Sequence, residues 1–404
     1  MNKSRTPILG ILVAALTLAL PLCAAETKPA ATPAAPAGPL SLQECIAIAQ
    51  QNQIDVLVGQ NAVTSSLART TQARSSFYPQ VSIEATPFVQ SGVTGGGHST
   101  GPNEGTAITL SQNFYDGGLR EAQVKAARFG ETQSAASLAR TRQSVTFNVT
   151  SAYYNALRAQ HLAGVADAQV QYAQGQEELV HARVQAGDAA QVDELPVLAQ
   201  LANAKVQQLA AKNTVRTSLI QLQNAMGLSS RTEFAIRDVE APAPLDLQPQ
   251  EHYITLAQEK RPDVQAQNAA VGGAQSTLKS AKLQTQPRIV ASGQYGLGIT
   301  GSTSSDWSVS AGIAYDLFDG GKNRAVVDQE KANLTSTQQQ AKQLGKDIEA
   351  DVQQAYLNLV NANERMAASA VSLDAAQKNM DAQNARYKEG LATPLDLLNA
   401  QVAL

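Results

Sequence analysis

Sulfur, aromatic rings and net charge are all scarce in this chain. Its 404 residues hold two cysteines, one tryptophan and 4% aromatics, and 31 basic side chains against 34 acidic ones leave a formal charge of −3. Each shortage excludes something. Two cysteines build no disulfide framework: Cys23 falls in a leader, and Cys45 reads as a small buried residue on a helix. A slightly acidic chain lacks the basic surface that nucleic acid requires. Few aromatics beside abundant alanine and glutamine suit long, closely packed helices. Beyond residue 25 no stretch reaches eighteen successive apolar residues, so any membrane contact must come from strands rather than a helix. Enzyme constellations are missing too. His98, His161, His181 and His252 are scattered without metal-ligand spacing, and Glu177-Glu178 reads as a wet helix face. No catalytic residue, metal or cofactor is expected.

What is present begins with an export signal. Lys3 and Arg5 precede an apolar run from Ile8 to Leu22, and Cys23-Ala24-Ala25 offers small residues for cleavage, so 1–25 reads as a secretory signal peptide. Cys23 also raises the question of a lipid anchor, although Leu22 fills a position where a small residue is expected. Residues 26–40 form an extended Pro/Ala spacer.

The remainder is written twice. IAQQNQIDV (48–56) matches LAQEKRPDV (256–264) at an offset of 208, which also maps Val63 to Val271 and Pro79 to Pro287. Beyond the motif FYDGG (114–118), matched by LFDGG (317–321), the offset becomes 203: AYYN (152–155) maps to AYLN (355–358) and Asp193 to Asp396. Only the segment between proline and aspartate changes length, as a surface hairpin does. The copies span 41–228 and 253–404, and 229–252 is a connecting belt with one short strand.

Each variable segment (80–115 and 288–318) reads as two strands. Ile289, Ala291, Gly293, Tyr295 and Leu297, then Trp307, Val309, Ala311, Ile313, Tyr315 and Leu317, alternate with small or polar residues, as do Val81, Ile83, Ala85 and Val89, then Ile108 and Leu110. Strands of about ten residues cross an outer membrane when tilted. Trp307 and Tyr315 lie on the apolar face where an aromatic girdle would sit. Four strands cannot close a barrel, and open sheet edges are not tolerated in lipid. Other subunits must supply the rest, and three copies would give twelve strands.

Between the hairpins run the helices. Residues 119–186 contain no proline and three glycines, and 322–389 contain only Gly345; each could span about 100 Å. Val145, Val149, Ala152 and Ala156, matched by Ile348, Val352, Ala355 and Leu359, make a narrow coiled-coil-like stripe. Return helices are expected over 194–228 and 394–404. At the strand-to-helix junctions, Phe114 and Phe318 suit an interfacial band, and Asp116 or Asp319 can accept from free N–H groups of the first turn. Gly117, Gly118, Gly320 and Gly321 permit the bend. Pro79 and Pro287 mark the opposite junctions, where a helix stops and a strand begins.

LSLQECIAIAQQN, the paired F-D-G-G junctions and RYKEGLATPLDLLNAQ resemble the TolC-type outer-membrane efflux protein family from about residue 41 onward. The resemblance implies a mainly α protein with a small β part: long antiparallel coiled-coil hairpins in two internal repeats, and four strands per subunit in a trimeric twelve-stranded outer-membrane barrel. It implies a homotrimer set in outer-membrane lipid and extending into the periplasm. The trimer would dock on a periplasmic adaptor (membrane fusion) protein and an inner-membrane pump of resistance-nodulation-division or ABC type. The function implied is an exit duct for efflux or type I secretion; the alternative from the residues is a periplasmic coiled-coil scaffold without a pore.

At the far tip, Gly187 and Gly390 end the long helices, and Thr393-Pro394-Leu395-Asp396 starts a new one. Asp193 and Asp396 serve either as helix-start residues or, as the resemblance implies for Asp396, as a pore-facing ring that closes the tunnel and attracts cations. The family's second acidic ring falls on Asn399, and its latching arginine on Ala392, so a looser closed state is expected. Tyr387 matches a tip tyrosine that bonds to the neighbouring hairpin, with Asp193 as partner. Gly390-Leu391 and Thr393 resemble the adaptor-docking motif, from which Gly187-Asp188 departs. The second return helix stops some twenty-six residues before the length of the first, which reads as a fragment, a truncated reading frame or a tunnel lacking half its last helix.

Overall fold

The computed structural model describes residues 38–94, 97–229, 234–239, 247–298, 307–389, 391–392 and 394–404. The leader, most of the Pro/Ala spacer, Gly390 and Thr393 lie outside the described residues.

The chain opens with α1 (Leu42–Asn52), whose start is fixed by a capping box. Ser41 Oγ accepts from the Glu44 N–H, and Glu44 Oε2 accepts from the Ser41 N–H at 2.7 Å, so two otherwise free donors are satisfied. One extended residue, Gln53 (φ −67°, ψ 126°), separates α1 from α2 (Ile54–Ser75). The second copy repeats this break: Arg261 (φ −65°, ψ 129°) parts α5 (Gln250–Lys260) from α6 (Pro262–Leu283), with Pro262 at the first position, where a missing N–H costs nothing. The long helices are α3 (Leu119–Ala186) and α7 (Lys322–Lys388), of 68 and 67 residues; each extends about 100 Å. Their return helices are α4 (Glu194–Ala225) and α8 (Pro394–Ala403).

α3 is the spine. Its first part packs on α2, where Leu138 Cδ1 lies 2.9 Å from the point a Cβ on Gly59 would occupy. Its last part packs on α4, with Asp167 accepting from Gln208 (2.8 Å) and paired with Lys212 (3.1 Å). α6 joins the two copies by packing on both α3 and α7.

At mid-height sits the main core: Leu40, Cys45, Ala49, Val56, Val145, Val149, Tyr153, Ala156, Leu222, Met226 and Ile236 among others. Leu40 and Ile236 form an isolated parallel bridge, and the buried Tyr153 hydroxyl is shared between the carbonyls of Leu40 and Arg237. Burial pushes the Cys45 thiol up to about 11, so it is an inert packing residue.

The strands β1 (Gln80–Thr94), β2 (Gly97–Tyr115), β3 (Arg288–Gly298) and β4 (Trp307–Ala314) form one antiparallel sheet in the order β1-β2-β3-β4. The pairings Ile83↔Ile108, Ile108↔Tyr295 and Tyr295↔Trp307 carry one row across all four strands. Two residues on, Val81, Leu110, Gly293 and Val309 form another row of the same face. The opposite face carries Ser111, Ser292 and Ser310 in register, with the last two hydroxyls 2.8 Å apart. One difference from the sequence reading concerns the second hairpin, expected to reach residue 318. β4 ends at Ala314, opposite Arg288, the first residue of β3. Pro287 can offer no further N–H, so residues 315–318 have no rung to join. β2, flanked on both sides, continues to Tyr115 through a bulge.

Candidate functional site

Three regions define the site: an apolar band on the sheet, the junctions beneath it and the tip of the helical hairpins. Among the described residues nothing covers the band, which faces outward. Ile83 is 69% exposed, Trp307 74%, Val309 75% and Ile313 74%. Aromatics stand at both ends. Tyr295 and Trp307 are paired at one level, while Tyr78, Phe114, Tyr115, Tyr315 and Phe318 are all exposed near the helix junctions. Among the described residues no helix is long and apolar enough to cross a membrane.

The two junctions share a backbone and differ in surroundings. Gly117, Gly118, Gly320 and Gly321 all have positive φ, between 66° and 91°, where a Cβ would be strained. Asp116 accepts from the N–H groups of Gly118 (3.1 Å) and Arg120 (3.2 Å), and Asp319 from those of Gly321 (2.9 Å) and Asn323 (2.8 Å). These backbone N–H groups hold the Asp319 carboxyl below its ordinary value. Asp116, however, is 2% exposed and locked by Arg120, whose Nε donates to it at 2.7 Å. Arg120 Nη1 also donates to the carbonyls of Ser76 and Asn113, and its guanidinium lies over the Phe77 ring at 4.7 Å. One side chain thus ties the end of α2, the end of β2 and the start of α3. Asp319 is exposed, and Asn323 occupies the position that matches Arg120. Gly117 is crowded, since a Cβ there would lie 2.7 Å from Gln286 Cβ, whereas its counterpart Gly320 faces open space.

At the tip, α3 ends on Gly187 in the left-handed conformation, with Asp188 N–H donating to the Arg183 carbonyl at 2.9 Å. A 3-10 turn, Gln191–Asp193, leads into α4, and Asp193 Oδ2 accepts from the Ala190 N–H. Within this chain the Asp193 carboxylate thus closes the turn that precedes α4, and Tyr387 lies near Tyr172 of α3. Burial raises the Tyr172 hydroxyl pKa, and Tyr387 adds to the rise. Asp396 and Asn399 are both exposed, one turn apart on α8, while Leu397 (3%) and Ala400 (1%) point inward. Leu391 is exposed beside the turn. The structure also gathers Glu177, which the sequence left on a wet helix face, and His181, which it left without metal-ligand spacing, around Glu194, which it did not single out. Glu177 and His181 share a helix face by their spacing; only the fold brings Glu194 to them.

Comparison with known proteins agrees with this geometry. The family described as outer membrane efflux protein matches residues 45–228 and 253–404, one block for each internal copy. The chain is 26% identical over 388 residues to protein CyaE of Bordetella pertussis, covering 93% of this chain and 81% of that one. It is 24% identical over 411 residues to the cobalt-zinc-cadmium resistance protein CzcC of Cupriavidus metallidurans, covering 98% and 92%. The solved outer-membrane channel OprN superposes with a TM-score of 0.75 at 19% identity, covering 90% of this chain and 83% of that one. The chain belongs to the outer membrane efflux protein family. It is an outer-membrane channel protein of efflux or secretion systems whose helical part extends into the periplasm, and its family is one of channels rather than enzymes.

Proposed function

We propose that this chain is the passive exit duct of a tripartite efflux or type I secretion system. Three copies close a twelve-stranded barrel and continue as a helical tunnel that docks on a periplasmic adaptor and an inner-membrane pump. The observation that carries the reading is the sheet: among the described residues, four strands, an apolar face turned outward, and β1 and β4 each paired on one side only. Such edges are untenable in lipid until other strands cover them.

The repeat supports the way copies would meet. α2 corresponds to α6 and α3 to α7, so the α3–α6 contact inside one chain is a template for α7 against α2 of the next. The crowded Gly117 and the open Gly320, like the buried Asp116 and the exposed Asp319, fit a second junction that awaits a neighbour. Phe129 Cβ lies 3.6 Å from the Cβ position of Gly273, within the span of a disulfide. The matching residues are Ala332 and Ser65, both exposed. The variant Ser65→Cys/Ala332→Cys should oxidise to covalent trimers, and planar bilayers containing it should conduct ions. Oxidised chains that stay monomeric, or membranes without conductance, would overturn the assembly.

Asp396 is assigned to a pore-facing ring with Asn399 beside it, and the surface around Gly187, Gly390, Leu391 and Thr393 to adaptor docking. Three carboxylates about 6 Å apart repel by roughly 0.7–3 kcal/mol per pair as the effective dielectric falls from 80 to 20, which favours cation entry. Asp396→Ala should lower cation selectivity in single-channel recordings; unchanged selectivity would remove the ring.

A further inference from the structure

We propose that Glu177, His181 and Glu194 form a binding site for a transition-metal dication of the zinc type, which clamps α3 to α4 beside the hairpin tip. Their ligand atoms lie within 4.8 Å of one another, and His181 Nδ1 is 2.7 Å from Glu194 Oε1. Glu177 and His181 stand one turn apart on α3, and Glu194 opens α4, so the three donors come from both arms of the hairpin. The Glu194 side chain is 18% exposed and that of His181 49%, which leaves the centre open to ions and to a completing water.

The donor set selects the ion. One imidazole with two carboxylates suits zinc, cobalt or nickel, whereas magnesium and calcium prefer oxygen alone. A tetrahedral zinc site separates its ligands by about 3.3 Å at bonds near 2.0 Å, so the His181–Glu194 pair need open only slightly. Binding takes the proton off Nδ1, to water from the imidazolium or to Nε2 from the neutral ring, so that Nδ1 presents its lone pair to the metal and Nε2 carries the ring N–H. Gln185, whose amide is 2.8 Å from Nε2, can turn its oxygen to accept from it, the orienting bond that metal-bound imidazoles require.

The second copy isolates the feature. There the matching positions are Met380, Asn384 and Leu397, so α7 and α8 form their hairpin with none of the three. The cluster is therefore not a requirement of the turn. It sits where only one of the two alternating hairpins of the channel would be braced.

The test is calorimetric titration of the tag-free, detergent-solubilised full chain with Zn²⁺ alone, beside Co²⁺ titration followed by visible absorption. One ion per chain is expected, with a Co²⁺ spectrum of mixed nitrogen and oxygen ligation that excess Mg²⁺ does not remove. His181→Asn, which installs the residue of the second copy, and Glu194→Gln should each weaken binding by more than about tenfold, and Gln185→Leu by about tenfold. Absence of saturable uptake, or uptake that survives both ligand substitutions, would overturn the site. Bilayer conductance is a separate readout, so loss of the site and loss of the pore are distinguishable.

Discussion

Replacing Arg120 by alanine would strip the first strand-to-helix junction of its lock. Asp116 would keep two backbone N–H donors but lose the 2.7 Å guanidinium contact while remaining buried at 2% exposure. The carbonyls of Ser76 and Asn113 would each lose a donor. Breaking a buried ion pair from one side costs about 3–5 kcal/mol, and each stranded carbonyl about 1–3 kcal/mol where water cannot reach it. These costs overlap, so about 3–5 kcal/mol is expected for the junction as a whole. At 1.4 kcal/mol per tenfold, its opening equilibrium rises roughly a hundredfold to several thousandfold. Amide hydrogen exchange over residues 116–122 of the reconstituted protein reads that change directly. Asn323→Ala at the exposed second junction should shift exchange there by less than about 0.5 kcal/mol. Asp116→Asn/Arg120→Ala should recover part of the loss by removing the unpaired charge. If Arg120→Ala exchanges like the parent chain, or Asn323→Ala has an equal effect, the burial argument is wrong.

Tyr153→Phe should cost about 1–3 kcal/mol, because the carbonyls of Leu40 and Arg237 lose a buried donor; exchange of the Leu40–Ile236 bridge would report it. Asp263→Asn removes the main partner of Arg261, which also reaches Asp351, and loosens Arg140 of α3. Burial pushes the Asp263 carboxyl up, but Arg261 and Arg140 outweigh it and leave it below 3.8. Its contribution is therefore present above pH 3.8 and lost as pH falls through the lower folded value, and an acid-unfolding midpoint that the variant leaves unmoved would refute this. Glu194, then Glu177, raises His181 above 6.5. The α3–α4 contact at the tip should be fully present below pH 6.5 and weaken as pH rises through the folded value, read as faster exchange around residues 181–194 that His181→Asn abolishes.

Much of this was legible because two different periods are written in one chain. Alternation of period two gave the apolar face from Val81 to Ile313, and the doubled F-D-G-G gave the bends. Contacts made across the fold were not legible. Asp116 and Arg120 look like any pair four residues apart, and only the approach of Ser76 and Phe77 from α2 buries them. Tyr153 repeats as Tyr356 in the second copy, yet its partners at Leu40 and Arg237 come from segments with no helical or strand period. His181 lacked metal-ligand spacing along the chain because its third partner, Glu194, arrives from the returning helix. The early end of β4 follows from Pro287, just before the adjacent strand, which no pattern within β4 reveals.

The two uncovered borders of the sheet also set a hazard for the chain on its way to its destination. A lone molecule in aqueous transit would present a greasy surface flanked by free backbone donors and acceptors, a template for runaway strand addition. Safe delivery thus favours keeping the hairpins apart until the subunits of the proposed trimer and the lipid arrive together. Sequence changes far from the conduit that merely slow this meeting would deplete the finished channel by precipitation or proteolysis, without altering how any surviving channel conducts.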